Sequence, residues 1–245
     1  MKRALLRWLL FVAVALLVLQ LFFVLRIALM AVLDPQSTSF QRSEAWRLAT
    51  TPGKPLRWRQ EWVPYPRISE HLKRAVIASE DDSFVRHDGI DWDALEKAWQ
   101  RNSRAEERAA RRARLQPARA SAPRVIGGST ITQQLAKNLF LSGERTLLRK
   151  GQEVVLTFAL EALLTKERLL EIYLNSVEWG EGVFGAEAAA QRYYGKSAAR
   201  LTSYEAARLA VMLPRPRHFE RLPQSPYLAD RAGVIQGRMQ AATLP

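Results

Sequence analysis

The sequence predicts a mostly α protein carried behind a single N-terminal membrane-spanning helix. Three observations predict that class. An apolar run opens the chain. Ser, Thr and Asp residues that precede helix-period apolar stripes recur after it. No stretch alternates apolar and polar residues for long enough to specify a strand. The 245 residues have room for one domain with a substantial core once the N-terminal run is set aside, and no internal repeat is visible. The formal net charge of +13 points to an anionic partner: a membrane face, nucleic acid or a phosphate-bearing substrate. The solubility charge of an arginine-rich proteome produces the same number. Cysteine is absent, which excludes disulfide and thiolate sites.

Lys2, Arg3 and Arg7 precede the apolar run Trp8–Leu25, which is broken only by Gln20 and resumes after Arg26 as far as Leu33. A bilayer crossing needs roughly 20 such residues, and Arg26 can snorkel to the interface. The run is too long for a signal peptide, and Asp34-Pro35 follows in place of a small-residue cleavage pattern. Residues 1–33 are therefore read as a cytoplasmic stub and retained anchor. The leading cations keep the N-terminus cytoplasmic, although the arginines beyond the run weaken that orientation. Residues 34–60 read as a juxtamembrane linker with some short helix, and 61–240 as the main domain.

Trp62-Val63-Pro64-Tyr65-Pro66 is extended and proline-stiffened. Ser69 caps a helix that runs out near Asp82, and Asp91 caps another through Leu95 and Trp99. From Arg101 to Arg124 come eight arginines, two glutamates and two prolines, a basic and partly helical insertion. Nucleic-acid binding there is the less favoured reading beside a solvated or lipid-facing segment. Thr130-x-x-Gln133 is a capping box, with Ile131, Leu135 and Leu139 as the buried stripe. Further helices are expected over Thr146–Leu164, Lys166–Asn175 and Phe184–Tyr194. The last is capped by Thr202-x-x-Glu205 and ends before Pro214.

Three clusters carry chemistry. Glu80-Asp81-Asp82 ends a helix, where the dipole is negative and two carboxylates adjoin Glu80. Both effects raise the Glu80 pKa, as a general base or acid requires, although spacing alone more often yields a surface acidic turn. His87-Asp88-Gly89 gives a turn that His87 holds. Gly127-Gly128-Ser129-Thr130 opens a helix whose free N–H groups and hydroxyls suit phosphate oxygens, with Lys137 two turns in. An ordinary capped helix has the same pattern. Arg145, Arg149, Lys150 and Glu153 share a helix face, which usually means a surface ion-pair ladder. The apolar residues after Glu153 suggest poor solvation instead. Together these residues are an inventory for transferring a sugar from a diphosphate leaving group.

Five motifs in order then carry a resemblance: Ala78-Ser79-Glu80-Asp81-x-x-Phe84-x-x-His87-x-Gly89, the Gly127–Asn138 block, Arg149-Lys150-x-x-Glu153, Leu170-Glu171-x-Tyr173-Leu174-Asn175 and Gly182–Ala190. Over Trp62–Arg238 the chain resembles the monofunctional biosynthetic peptidoglycan glycosyltransferases of glycosyltransferase family 51. The resemblance implies a lysozyme-like, two-lobed α fold. It implies polymerisation of lipid II into β-1,4 glycan strands at the outer face of the cell inner membrane, with inversion and release of undecaprenyl diphosphate. By similarity, Glu80 is the catalytic base and Glu153 a second acidic residue that assists the leaving group directly or through a metal. Ser129, Thr130, Gln134, Lys137, Asn138, Arg145, Arg149 and Lys150 match positions of the donor site. Asp81, Phe84 and His87 support the first motif. No organic cofactor is implied. No cluster has metal-ligand spacing, so a divalent cation (Mg or Mn) would be held partly by the diphosphate. The partners implied are lipid II, the growing strand, membrane lipids and cell-wall synthesis or cell-division proteins, with no nucleic acid. A membrane-bound lytic glycan hydrolase and a non-catalytic cell-wall scaffold are the competing functions. The Arg101–Arg124 insertion is longer and richer in arginine than the family's usual connection beside the acceptor groove.

Overall fold

The structure is a computed structural model that describes residues 1–53, 57–115, 127–144 and 146–245. It is mostly α, as expected. Eleven α-helices are described: α1 (Lys2–Leu29), α2 (Ser39–Thr50), α3 (Glu70–Glu80), α4 (Trp92–Leu115), α5 (Ile131–Phe140), α6 (Leu147–Leu163), α7 (Lys166–Ser176), α8 (Ala186–Tyr194), α9 (Ser203–Met212), α10 (Pro216–Arg221) and α11 (Pro226–Arg238).

The helix starts follow the cap chemistry. Thr38, Thr130 and Thr202 each close a capping box with the Gln or Glu three residues on, and Thr146 and Thr165 accept from the N–H three residues on. Asp91 accepts from the Ala94 N–H at 2.8 Å and so starts α4. That helix continues without a break through the basic residues to Leu115, so the described part of the insertion is regular helix. Alanine and arginine sustain it because both are strong helix formers. Residues 116–124 of the insertion lie outside the described residues, as does Arg145.

Two expectations are corrected. The chain does form strands: β1 (Arg59–Gln60), β2 (Glu178–Gly180) and β3 (Val183–Phe184) make a small sheet in the order β1-β3-β2. β1 and β3 run parallel, with Arg59 opposite Val183; β2 and β3 run antiparallel through a bulge. Such short strands show no alternation, and β2 and β3 are buried throughout. Phe184 consequently belongs to β3, and α8 begins at Ala186. Gly185, at φ +84°, turns the chain where a Cβ would meet the Asn175 carbonyl oxygen at 2.8 Å. Beyond Pro214, α10 and α11 were not anticipated; each starts with a proline in its first turn.

The core lies between two groups of helices. α3 packs on α9 and α11, while α5 packs on α6, α7 and α2. Asn175 ties α7 to the extended segment by accepting from the Val63 N–H and donating to the Val63 carbonyl, at 2.8 and 2.9 Å. Glu171 accepts from the Tyr65 N–H at 3.0 Å. Glu187 accepts from the Ala198 N–H at 2.7 Å. The polar members of the fourth and fifth motifs thus hold backbone in place.

α1 has the length and composition of a membrane span, about 42 Å at 1.5 Å per residue. Its far end is joined to the domain. Ile27 and Met30 are buried, and Phe23 meets Phe140 edge-on at 5.4 Å. Gln20 and Gln152 exchange two amide hydrogen bonds, at 2.9 and 3.1 Å. Arg168 donates to the carbonyls of Met30 and Leu33 and pairs with Asp34. The segment after α1 is also packed: Thr38, Gln41 and Leu48 are buried, and Gln41 donates to the Ser176 carbonyl.

Candidate active site

Glu80 is the last residue of α3 and stands at the edge of a cavity of about 940 Å³. Ser129, Thr130, His87, Arg86 and Asp91 also line that cavity. Burial raises the Glu80 pKa, and the Asp81 charge adds to the rise; the Gln134 hydrogen bond and the Lys137 charge oppose it. The direction agrees with the sequence argument, but the largest cause is burial, which the sequence does not display. Gln134 donates from Nε2 to Glu80 Oε2 at 3.0 Å, and the Tyr173 hydroxyl donates to Gln134 Oε1 at 3.1 Å. Tyr173 therefore fixes which end of the amide faces the carboxylate.

Asp81 is the joint between the first two motifs. Its Oδ1 pairs with His87 Nε2 at 2.9 Å, and its Oδ2 accepts from the Ile131 N–H at 2.9 Å. His87 Nδ1 accepts from the Gly89 N–H at 3.1 Å, so its proton sits on Nε2 and is donated to Asp81. His87 holds its turn, as expected. Gly89 has φ +92°, and a Cβ there would lie 2.6 Å from Thr157 Cγ2.

Three N–H groups at the start of α5 are satisfied by protein. Ile131 donates to Asp81, the Thr130 N–H donates to Gln133 Oε1, and the Gln133 N–H donates to Thr130 Oγ1. Thr130 Oγ1 also donates to the Gly89 carbonyl at 2.6 Å. Thr130 thus acts as a structural hinge pin, while Ser129 is exposed on the cavity wall. The glycine-serine-threonine pattern suggested an anion cradle, and these three N–H groups are instead engaged within the protein.

The cations lie further along. Lys137 is exposed on α5, and Asn138 beside it is half-buried. The surrounding protein lowers the Lys137 pKa, with Arg149 and Lys150 pushing the same way and Glu153 and Glu80 opposing. Glu153 is 3% exposed. Arg149 reaches its Oε2 at 3.0 Å and Lys150 its Oε1 at 2.5 Å. The i, i+3 and i, i+4 spacing is realised, but the cluster is buried at its carboxylate rather than a surface ladder. Among the described residues, no three His, Asp or Glu side chains converge as a metal site. Both Glu153 oxygens are already engaged by cations. These residues do not by themselves fit a resident divalent ion.

Three supporting residues escaped sequence reasoning. Lys166 Nζ donates to the His87 carbonyl at 2.6 Å, pairs with Glu161 at 2.8 Å and lies 4.6 Å from the ring centre of Phe84. Thr132 donates to the same Glu161 oxygen at 2.6 Å. Phe84 is wholly buried beneath this clamp. Glu161 and Lys166 belong to successive helices that meet at Leu164, so no helical spacing rule pairs them.

A family model described as Transglycosylase matches residues 48–240. The biosynthetic peptidoglycan transglycosylase of Burkholderia thailandensis is 53% identical over 249 residues, covering 100% of this chain and 90% of that protein. The proteins of the same name from Herminiimonas arsenicoxydans and Paraburkholderia xenovorans are 52% and 50% identical, covering 99% and 98% of this chain and 98% and 94% of their own length. The chain belongs to the transglycosylase family, that of the biosynthetic peptidoglycan glycosyltransferases.

Proposed function

We propose that this peptidoglycan glycosyltransferase polymerises lipid II, with Glu80 as the general base. The observation that carries the reading is the Glu80 carboxylate, poised between burial and the Gln134 amide at the wall of an open cavity, within the field of Lys137. The acceptor's 4-hydroxyl attacks C1 of the donor sugar while its proton passes to Glu80. The bond from C1 to the phosphate oxygen breaks, and the diphosphate leaves with the electron pair. Lys137, Arg149 and Lys150 supply the positive charge that this oxygen needs as it departs. An α donor linkage and a β product require inversion in one displacement, with no covalent intermediate. Glu153 keeps Arg149 and Lys150 in place and tempers their charge.

The lipid-linked substrate accounts for the apolar α1, whose first turns carry Lys2, Arg3 and Arg7. That placement supports a cytoplasmic N-terminus and a catalytic domain on the periplasmic side of the inner membrane. The test is a gel assay of full-length protein with labelled lipid II, alongside Lys137→Ala and with or without chelator. Polymer is expected, reduced by loss of Lys137. No polymer from lipid II, with release of fragments from finished glycan, would establish the hydrolase instead.

A further inference from the structure

Helix α4 carries a feature that the chemistry above leaves unused. Lys97, Arg101, Arg104, Arg108 and Arg111 recur at intervals of four, three, four and three residues, which places all five on one face. All five are exposed, and among the described residues none makes an ion pair. Lys97 and Arg101 line the same cavity as Glu80, so the stripe begins at the cavity wall and runs outward along the helix for about 21 Å. Ala94 and Ala98 form a packed side, with Gly128 close against both. The third side is apolar: Trp92, Leu95 and Trp99 are 65%, 43% and 72% exposed.

On a helical projection the tryptophans and the cations lie nearly opposite one another. A helix lying in a bilayer interface shows the same division along its whole length, with cations on one face and aromatic and apolar residues on the other. In α4 the large apolar residues of that side end at Trp99, within the first two turns, whereas the cations continue to Arg111. Trp92, Lys97 and Arg101 all border the cavity, but only the cations lead on from it along the helix, and a linear array of evenly spaced positive charge suits a linear polyanion. The peptide side groups of peptidoglycan end in carboxylates and recur along the strand.

We propose that this face of α4 is a track for the carboxylate-bearing peptide stems of the glycan, leading away from the cavity that Glu80 lines. The proposal rests on the lipid II reading above. The cavity lining is mixed: the exposed Asp82, Asp88 and Asp93 stand beside the exposed Arg86 and Arg238. Sugar hydroxyls fit such a lining, and the acidic stems are drawn onto the cations beyond it.

The test uses the full-length protein in nanodiscs and the triple variant Arg104→Gln, Arg108→Gln, Arg111→Gln, which leaves the cavity lining untouched. Binding of soluble glycan fragments with free stem carboxylates is measured by fluorescence anisotropy, beside fragments whose carboxylates are amidated. Wild type should bind the free-acid fragment roughly tenfold more tightly than the variant does, and more weakly as salt rises. Amidation should abolish the difference. On lipid II, the variant should make shorter strands at an unchanged rate of first condensation. Equal affinity of wild type and variant for the free-acid fragment would overturn the track. So would a defect that follows the anionic lipid content of the nanodisc rather than the substrate's carboxylates, since α4 would then be a membrane contact. Failure of wild type to polymerise lipid II would sink the catalytic reading alone, because fragment binding decides the track separately.

Discussion

Asp81→Ala is the perturbation that most directly probes how the site is held together. The Asp81 side chain is 2% exposed and accepts two hydrogen bonds, one from the His87 ring and one from the Ile131 N–H, each at 2.9 Å. Hydrogen bonds to a charged group contribute about 1.5–3 kcal/mol each, and truncation leaves both donors without their acceptor. Relief of the carboxylate's own desolvation and entry of water from the adjoining cavity offset part of that loss. The expected destabilisation is about 2–4 kcal/mol, or roughly 5–15 °C in melting temperature for a chain of this size. Far-UV circular dichroism of the full chain in detergent reads it. Asp81→Ala should lose turnover as well, because the side chain that anchors this turn to His87 and to the start of α5 belongs to the residue directly after Glu80. His87→Ala should cost less, and the double variant should cost less than the two combined, since the residues share a bond. A melting temperature within about 2 °C of wild type, with turnover intact, would refute the joint role assigned to Asp81.

Glu80→Gln should abolish polymer formation, by at least about 10²-fold, while the fold stays intact. Its pKa is raised, so the folded state binds this proton more tightly than the unfolded chain does. The ionised form therefore opposes folding above that pKa, and Glu80→Gln should melt no lower than wild type at neutral pH; a clear drop would contradict this. The base acts deprotonated, so activity falls as pH falls through the raised pKa. Gln134→Ala removes a bond that favours the carboxylate, which should move the acid limb of the pH–rate profile to higher pH; a shift to lower pH would count against it. Gln20→Leu leaves the Gln152 amide without its partner and should cost about 1 kcal/mol in detergent melting, with much of the loss recovered when Gln152→Leu is added.

Much of the fold was legible because its signals are local. Capping boxes at Thr130 and Thr202, the Asp91 start of α4 and the apolar stripe Ile131-Leu135-Leu139 each depend on residues a few positions apart. The sheet was not legible, because strands of two or three residues are too short to show a period, and β2 and β3 are buried throughout. In the site, the ladder of Arg149, Lys150 and Glu153 followed from helical spacing, and the burial of its carboxylate from the apolar residues after Glu153. The helix start at Thr130 shows the opposite case. Its pattern is that of an anion cradle, yet Asp81, fifty positions earlier, takes the Ile131 N–H.

The residue types and their spacing by themselves determined the class of the fold, the membrane-length helix and the inventory of an acid, amides and cations, since helix caps and apolar periods act over a single turn. Only the tertiary structure decided which groups are spent on one another and which face a ligand. It seated Gln134 against Glu80 with Tyr173 behind, closed the clamp of Lys166, Glu161 and Thr132 over Phe84, and coupled Gln20 to Gln152. Most of those pairings join residues far apart along the chain, and desolvation, which is the largest cause of the raised Glu80 pKa, depends on what packs around a group rather than on its neighbours in sequence.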